Sequence, residues 1–207
     1  MILFLPNMSE RWFKSLNNRL ERTYLQNEEP WKQSGFLGEE EYWIEARKPI
    51  IECLKTSGTF LDIGCANGYL LECLVKWGNE LSLELIPYGI DLSEKLVKLA
   101  KQRHPKYQSN FHVGNAWTWK PLVQYDYVRT ELEYVPRKLQ QKYIKRLYNT
   151  FLRESGTLII TEYRSRNAST KKPWINLLIE KWGYQIKYQT SGFYKETEVT
   201  RVVSISK

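Results

Sequence analysis

Residues 60–70 read FLDIGCANGYL, and this stretch limits the fold more than any other part of the chain. Phe60, Leu61 and Ile63 suit a buried strand, and Tyr69-Leu70-Leu71-Glu72-Cys73-Leu74-Val75 returns to helical spacing. Between them stands Gly64-Cys65-Ala66-Asn67-Gly68. A parallel strand that turns through two glycines into a helix leaves backbone N–H groups at its tip, where a ligand can approach closely. Asp62 adds a carboxylate acceptor at the end of the strand. The spacing is G-x-x-x-G behind an acid, not the G-x-G-x-x-G of dinucleotide binders. Tyr69 stands where a P-loop needs lysine after its second glycine, which argues against a triphosphate site.

LDIGCANG resembles motif I of the class I S-adenosylmethionine-dependent methyltransferases. Their cofactor carries an ammonium and a sulfonium rather than a pyrophosphate, so its loop needs acceptors and close backbone approach more than anion-binding dipoles. The resemblance implies S-adenosyl-L-methionine as cofactor and S-adenosyl-L-homocysteine as product. It places Asp62, Gly64, Cys65, Ala66, Asn67 and Gly68 around that cofactor. The plain alternative is a tight strand-to-helix turn in some other α/β protein.

The rest of the chain alternates strand and helix, the pattern of a parallel sheet covered on both faces. Strands are expected at 59–63, 85–91 (interrupted by Pro87), 110–114, 125–130 and 156–163. Helices are expected at 68–77, at 94–102 behind a Ser93 cap, at 137–152 behind Pro136, and from Pro173 through Trp182-Gly183. Two final strands, 184–190 and 198–205, are joined by a loop containing Ser191-Gly192. The fold class is therefore α/β: a Rossmann-like, mostly parallel seven-stranded sheet with helices on both faces and an antiparallel last strand, as in the methyltransferases. Residues 1–57 read as an N-terminal helical lid segment and 58–207 as the methyltransferase domain, together one domain. The lid holds an amphipathic helix within 1–30, an aromatic loop with Trp31 and Phe36, and a helix over 39–54 that Pro49 kinks or splits. The resemblance covers about 58–205, and the longer string from Trp31-Lys32-Gln33-Ser34-Gly35-Phe36 to Glu162-Tyr163-Arg164-Ser165 is similar to bacterial class I methyltransferases.

Strand tips carry the other candidates. Asp91 ends the second strand, 29 positions after Asp62, where a carboxylate can accept both ribose hydroxyls; Leu92 follows it. Its alternative role is a helix N-terminal acid. The third strand exits into Asn115-Ala116-Trp117, where the family often has Asp-Ala reading the adenine amine. Asn115 replaces that acid and its side-chain carbonyl can still accept. Trp117 either stacks on adenine or joins the core. The fourth strand delivers Arg129, Glu131, Glu133 and Tyr134, and the fifth Glu162, Tyr163 and Arg164. Glu131 and Tyr134 are the catalytic acid–base candidates. Arg129 is grouped with the cofactor residues, or orients an anionic substrate, or pairs with Glu131. For each of these groups the alternative is a buried ion pair that holds the loops.

Composition narrows the chemistry. The last of three cysteines is Cys73, so no nucleophilic thiol follows the fourth or fifth strand for 5-methylcytosine formation. The odd cysteine count suggests reduced thiols and a cytoplasmic location. No metal-ligand spacing appears, the [DNS]-P-P-[YF] loop is absent, and no stretch approaches a membrane span. Net charge is +8, and 137–187 holds twelve Lys/Arg against three Glu. That excess is either the solvated faces of two helices or an RNA-binding surface. The favoured function is methyl transfer to O or N of a small-molecule acceptor, by a monomer or homodimer. An RNA methyltransferase and a non-catalytic partner subunit are the alternatives; a NAD enzyme is disfavoured by the glycine spacing.

Overall fold

The computed structural model describes residues 8–166 and 172–207; the apolar run at 1–5 and Lys171 lie outside them. Helix α1 (Met8–Tyr24) leads through a 3-10 turn at Lys32–Ser34 into α2 (Glu40–Arg47) and a second 3-10 turn, Lys48–Cys53. There follow β1 (Gly58–Ile63), α3 (Tyr69–Glu80), β2 (Leu85–Asp91), α4 (Glu94–Arg103), β3 (Phe111–Val113) and β4 (Tyr125–Glu131). The chain closes with α5 (Gln140–Thr150), β5 (Leu152–Tyr163), α6 (Ile175–Lys181), β6 (Tyr188–Tyr194) and β7 (Thr197–Ser206).

The strands form one seven-stranded sheet in the order β3-β2-β1-β4-β5-β7-β6. Pairings among β3, β2, β1, β4 and β5 are parallel, and β7 runs antiparallel between β5 and β6. Side chains alternate across a pleated strand, and where both faces are covered, as in the middle of β1, β4 and β5, apolar residues point to both sides. Leu61, Ile63, Val128, Leu158 and Ile160 enter one core with α5, α6 and Phe13 of α1. Phe60, Tyr127, Ile159 and Val202 enter the other, with Trp43 of α2 and Leu70, Leu71 and Leu74 of α3.

Several boundaries differ from the sequence expectations for physical reasons. Pro49 ends α2 outright, and the following residues tighten into the 3-10 turn. Pro87 does not interrupt β2. Its carbonyl faces Asn110 (Asn110 Nδ2 donates at 3.0 Å), so its missing N–H faces the side that β3 reaches only from Gly89 onward. Helix α3 continues three residues past Trp77, through Gly78. The expected 137–152 helix divides into a 3-10 turn at Arg137–Leu139 and α5, and β5 takes over from Leu152. Ser93 caps α4 as expected, its hydroxyl accepting from Leu96 N at 3.2 Å.

The final hairpin turns at Lys195-Glu196, with φ of 46° and 63°, rather than at Ser191-Gly192. Those two left-handed residues match the twist of a two-residue hairpin. Gly192 is instead a strand residue pressed against α2. A Cβ built there would lie 2.7 Å from the Glu45 carbonyl oxygen and 3.2 Å from Ala46 Cα. Both are backbone atoms, which cannot step aside cheaply. Gly192→Val should therefore lower stability by about 1–3 kcal/mol in urea denaturation. An unchanged midpoint would show that α2 does not press on this strand.

Candidate functional site

Asp91, Glu131 and Tyr163 are the last residues of β2, β4 and β5, so the sheet delivers them to one edge. In open α/β sheets this carboxyl edge is where ligands bind. A cavity of about 330 Å³ lies there. Its floor includes Ile63, Gly64, Ala66, Asp91, Leu92, Ala116, Glu131 and Tyr134. Its roof comes from the N-terminal segment, with Leu16, Leu20 and Tyr24 of α1, Phe36, and Tyr42 and Arg47 of α2.

The turn after β1 is shaped by close packing. Gly64 takes φ 78°, and a Cβ there would meet the Tyr134 ring at 2.5 Å, so glycine lets that ring lie against the backbone. Ala66 adopts φ 47° without being glycine. An L-residue in that region costs on the order of 1 kcal/mol, and such strain tends to gather at functional sites. The strain is offset by a contact: Ala66 N donates to Asp91 Oδ2 at 3.0 Å. Asp91 Oδ1 accepts from Ser93 N at 2.9 Å. Each oxygen keeps acceptor capacity toward the cavity that Asp91 lines. Burial raises the Asp91 carboxyl above its ordinary value, opposed by the N–H groups of Ser93, Ala66 and Leu92.

Beneath the floor lies Arg129, 2% exposed. Its Nη1 donates to Asp62 Oδ1 at 3.1 Å and to the Tyr134 hydroxyl at 3.0 Å. Its Nη2 donates to Thr161 Oγ1 at 2.7 Å, to the Tyr163 hydroxyl at 3.2 Å, and to Glu131 Oε1. The Tyr134 hydroxyl in turn donates to Glu131 Oε1 at 2.7 Å. Burial works against the guanidinium charge, yet Tyr134, Tyr163, Glu131 and Asp62 hold its pKa well above the ordinary value. Burial raises the Tyr134 phenol well above its usual range, with Glu131 and Asp62 adding to burial and Arg129 opposing it, so the phenol stays protonated.

The sequence candidates thus divide in two. Gly64, Ala66, Asp91, Leu92, Ala116, Glu131 and Tyr134 line the cavity; Asp62, Cys65, Asn67, Gly68, Asn115 and Arg129 do not. Asn67 ties the roof loop to the floor, its Nδ2 donating to Pro30 O at 3.0 Å and to Gln33 Oε1 at 3.1 Å. Asn115 Oδ1 accepts from Trp117 N at 2.8 Å, so its carbonyl shapes its own turn. Trp117 packs against the core rather than lining the cavity. Trp31 likewise packs on the core, donating from Nε1 to Gly38 O at 3.1 Å. Of the described basic residues in 137–187, only Arg164 lines the cavity. Among the described residues no group of three or more His, Cys, Asp or Glu could hold a metal ion, and no helix is long and apolar enough to cross a membrane.

Tyr163, at the tip of the fifth strand, lines the cavity, and so does Arg47, which the sequence reading does not single out. A signal for Arg47 was present: with Trp43, Ala46 and Ile50 it follows the spacing i, i+3, i+4, i+7, which sets a cation inside an apolar stripe. Tyr163 ends its strand, as Asp91 and Glu131 do.

Asp62 is 1% exposed, and burial outweighs Arg129 to push its carboxyl up to about 6 from 3.8. A folded pKa above the unfolded one means that the native state binds more protons between those values. The contribution of Asp62 therefore favours folding below about pH 4 and is lost as pH rises through 6. The stability of the parent relative to Asp62→Asn should fall by about 3 kcal/mol across that window in urea titrations. A difference independent of pH would contradict the assigned environment.

Residues 60–156 match a family model described as a methyltransferase domain. No curated protein matches the chain. Among solved structures, 1,6-didemethyltoxoflavin-N1-methyltransferase from Burkholderia thailandensis, solved with its substrate and S-adenosylhomocysteine, is similar at TM-score 0.71 and 13% identity, over 100% of this chain and 93% of that one. Magnesium protoporphyrin IX methyltransferase from Synechocystis PCC 6803, solved with bound SAM, is similar at TM-score 0.65 and 16% identity, over 94% and 96%. A Haloferax volcanii complex of the Trm112 methyltransferase activator and a putative methyltransferase gives TM-score 0.61 at 14% identity, over 98% of each chain. At these identities the likeness is one of fold.

Proposed function

We propose that this chain, which carries a class I S-adenosylmethionine-dependent methyltransferase domain, methylates an oxygen or nitrogen of a small molecule held inside the cavity. The observation that carries this reading is the roof. Leu16, Leu20, Tyr24, Phe36 and Tyr42 stand over the same space that the strand tips line, leaving a partly covered site suited to a small acceptor. The basic residues of 137–187 lend an RNA acceptor little support, since Arg164 alone of those described reaches the cavity, and it is already paired with Glu162.

The residues present fit the cofactor. Asp91 would accept from the ribose hydroxyls, Leu92 and Ala116 would give the adenine an apolar surface, and the turn at Gly64–Ala66 would let the cofactor approach the backbone closely. When bound, S-adenosylmethionine supplies an activated methyl group on a good leaving group. The chain's own work is alignment and proton removal. Tyr134 and Arg129 fix the Glu131 carboxylate through Oε1, and Glu131 accepts the proton that an acceptor O–H or N–H gives up. Tyr134, kept as a phenol, is the positioning donor in this pair.

Labelled-methyl S-adenosylmethionine incubated with size-fractionated cell extract tests the acceptor class. Label should enter compounds of low mass, and Glu131→Gln should slow its transfer by about 10²-fold or more while S-adenosylhomocysteine still binds. Label confined to an RNase-sensitive macromolecular fraction would overturn the small-molecule reading.

A further inference from the structure

Arg47 is a buried cation on the cavity wall that forms no direct ion pair among the described residues: Glu131 attracts it from a distance, and burial still works against its charge. It is 8% exposed, yet it makes no ion pair and donates no hydrogen bond to a described residue. The residue lines the cavity, which sets its guanidinium at that wall. Aromatic rings hold the guanidinium in place, with Tyr163 at 4.5 Å, Trp43 at 4.8 Å and Phe36 at 5.4 Å from its carbon to the ring centroids. Such stacking orients the planar group and leaves its N–H edge free.

The carboxylates nearby are already committed. Glu131 accepts from Arg129 and Tyr134, and Glu162 pairs with Arg164 and Lys172. A buried charge without a partner is expensive, so an anion from a ligand would meet an existing demand. The anion should be singly charged and flat. Glu131 and Glu133 also line the cavity and would repel a dianion, whereas a carboxylate matches the guanidinium fork with two parallel hydrogen bonds. The Tyr163 ring is taken up by Arg47 and Arg129, and it is the Tyr24 ring of the roof that offers the cavity an aromatic face against which a planar body can lie.

We propose that Arg47 receives the carboxylate of an aromatic acid, the methyl acceptor, which lies beneath the roof with its reacting atom toward Glu131. The proposal rests on the methyltransferase reading and adds to it the class of acceptor. The carboxylate of the cofactor itself is the other possible source of the same chemistry, and the test separates the two.

Calorimetric titrations would use S-adenosylhomocysteine, 5′-methylthioadenosine (which lacks the amino-acid end) and, on the homocysteine complex, benzoate, salicylate, indole-2-carboxylate and quinaldate beside their amides. At least one acid should bind the complex, with its amide at least tenfold weaker. Arg47→Gln should weaken that acid at least tenfold and leave S-adenosylhomocysteine within about twofold, which also shows the variant to be folded. Arg47→Lys should fall between, since it keeps the charge and loses the fork. If Arg47→Gln weakens S-adenosylhomocysteine tenfold and methylthioadenosine not at all, the guanidinium serves the cofactor and the proposal falls. It falls too if amides bind as well as acids, or if none of the acids binds. Should S-adenosylhomocysteine fail to bind the parent protein, the methyltransferase reading fails first, and the assignment of Arg47 with it.

Discussion

The Arg129 guanidinium is the contact on which the site depends. One buried cation reaches Asp62 on β1, Glu131 at the end of its own strand β4, Thr161 and Tyr163 on β5, and Tyr134 in the turn that follows. Three adjacent strand tips are thereby held in one geometry. The arrangement is no evidence of high stability, because desolvating such charges costs about as much as their attraction returns. Its value is positional. Tyr134 can lie over Gly64 and brace Glu131 only while both are tied to the same guanidinium.

What the hub supports is a division of labour along the sheet edge. Toward β2, the Asp91 carboxylate and the strained Ala66 form a polar cradle. Toward β4 and β5, Glu131, Tyr134 and Tyr163 form a second wall, and the roof closes over both. Asn67 links roof to floor by bonding Pro30 and Gln33, so the turn after β1 and the N-terminal segment are coupled. That coupling gives a physical reason for the loop at 30–38 to hold its place above a cavity rather than extend into solvent.

Much of this was legible in the chain. The apolar run ending in LDIG, the acid closing β2 and the Ser93 cap rest on local chemistry, and the alternation of strand and helix dictates a doubly covered sheet. Positions decided by tertiary packing were harder to read. Gly192 looked like a turn residue, since nothing nearby in sequence reveals that α2 presses on it. Asn115 looked like a ligand group, although its carbonyl is taken by Trp117 N two residues on. For Arg129 the sequence leaves a cofactor contact, an anionic-substrate contact and a pairing with Glu131 open; the structure shows the pairing, and the rest of its five partners, spread between Asp62 and Tyr163, are set by the fold. Arg47 was passed over because a cation in an apolar stripe reads as a surface residue until the rings around it are seen.

The proposed role of Asp91, which lines the cavity, is to hold the ribose of S-adenosyl cofactors there. Thermal denaturation with S-adenosylhomocysteine, on the parent and on Asp91→Ala, tests it most directly. At about 100 times its dissociation constant a ligand adds roughly 2.7 kcal/mol, which for a chain of this size raises the midpoint by about 5–10 °C. The account predicts that shift for the parent and its loss in Asp91→Ala. No shift in the parent at saturating ligand, or an equal shift in both proteins, would contradict it.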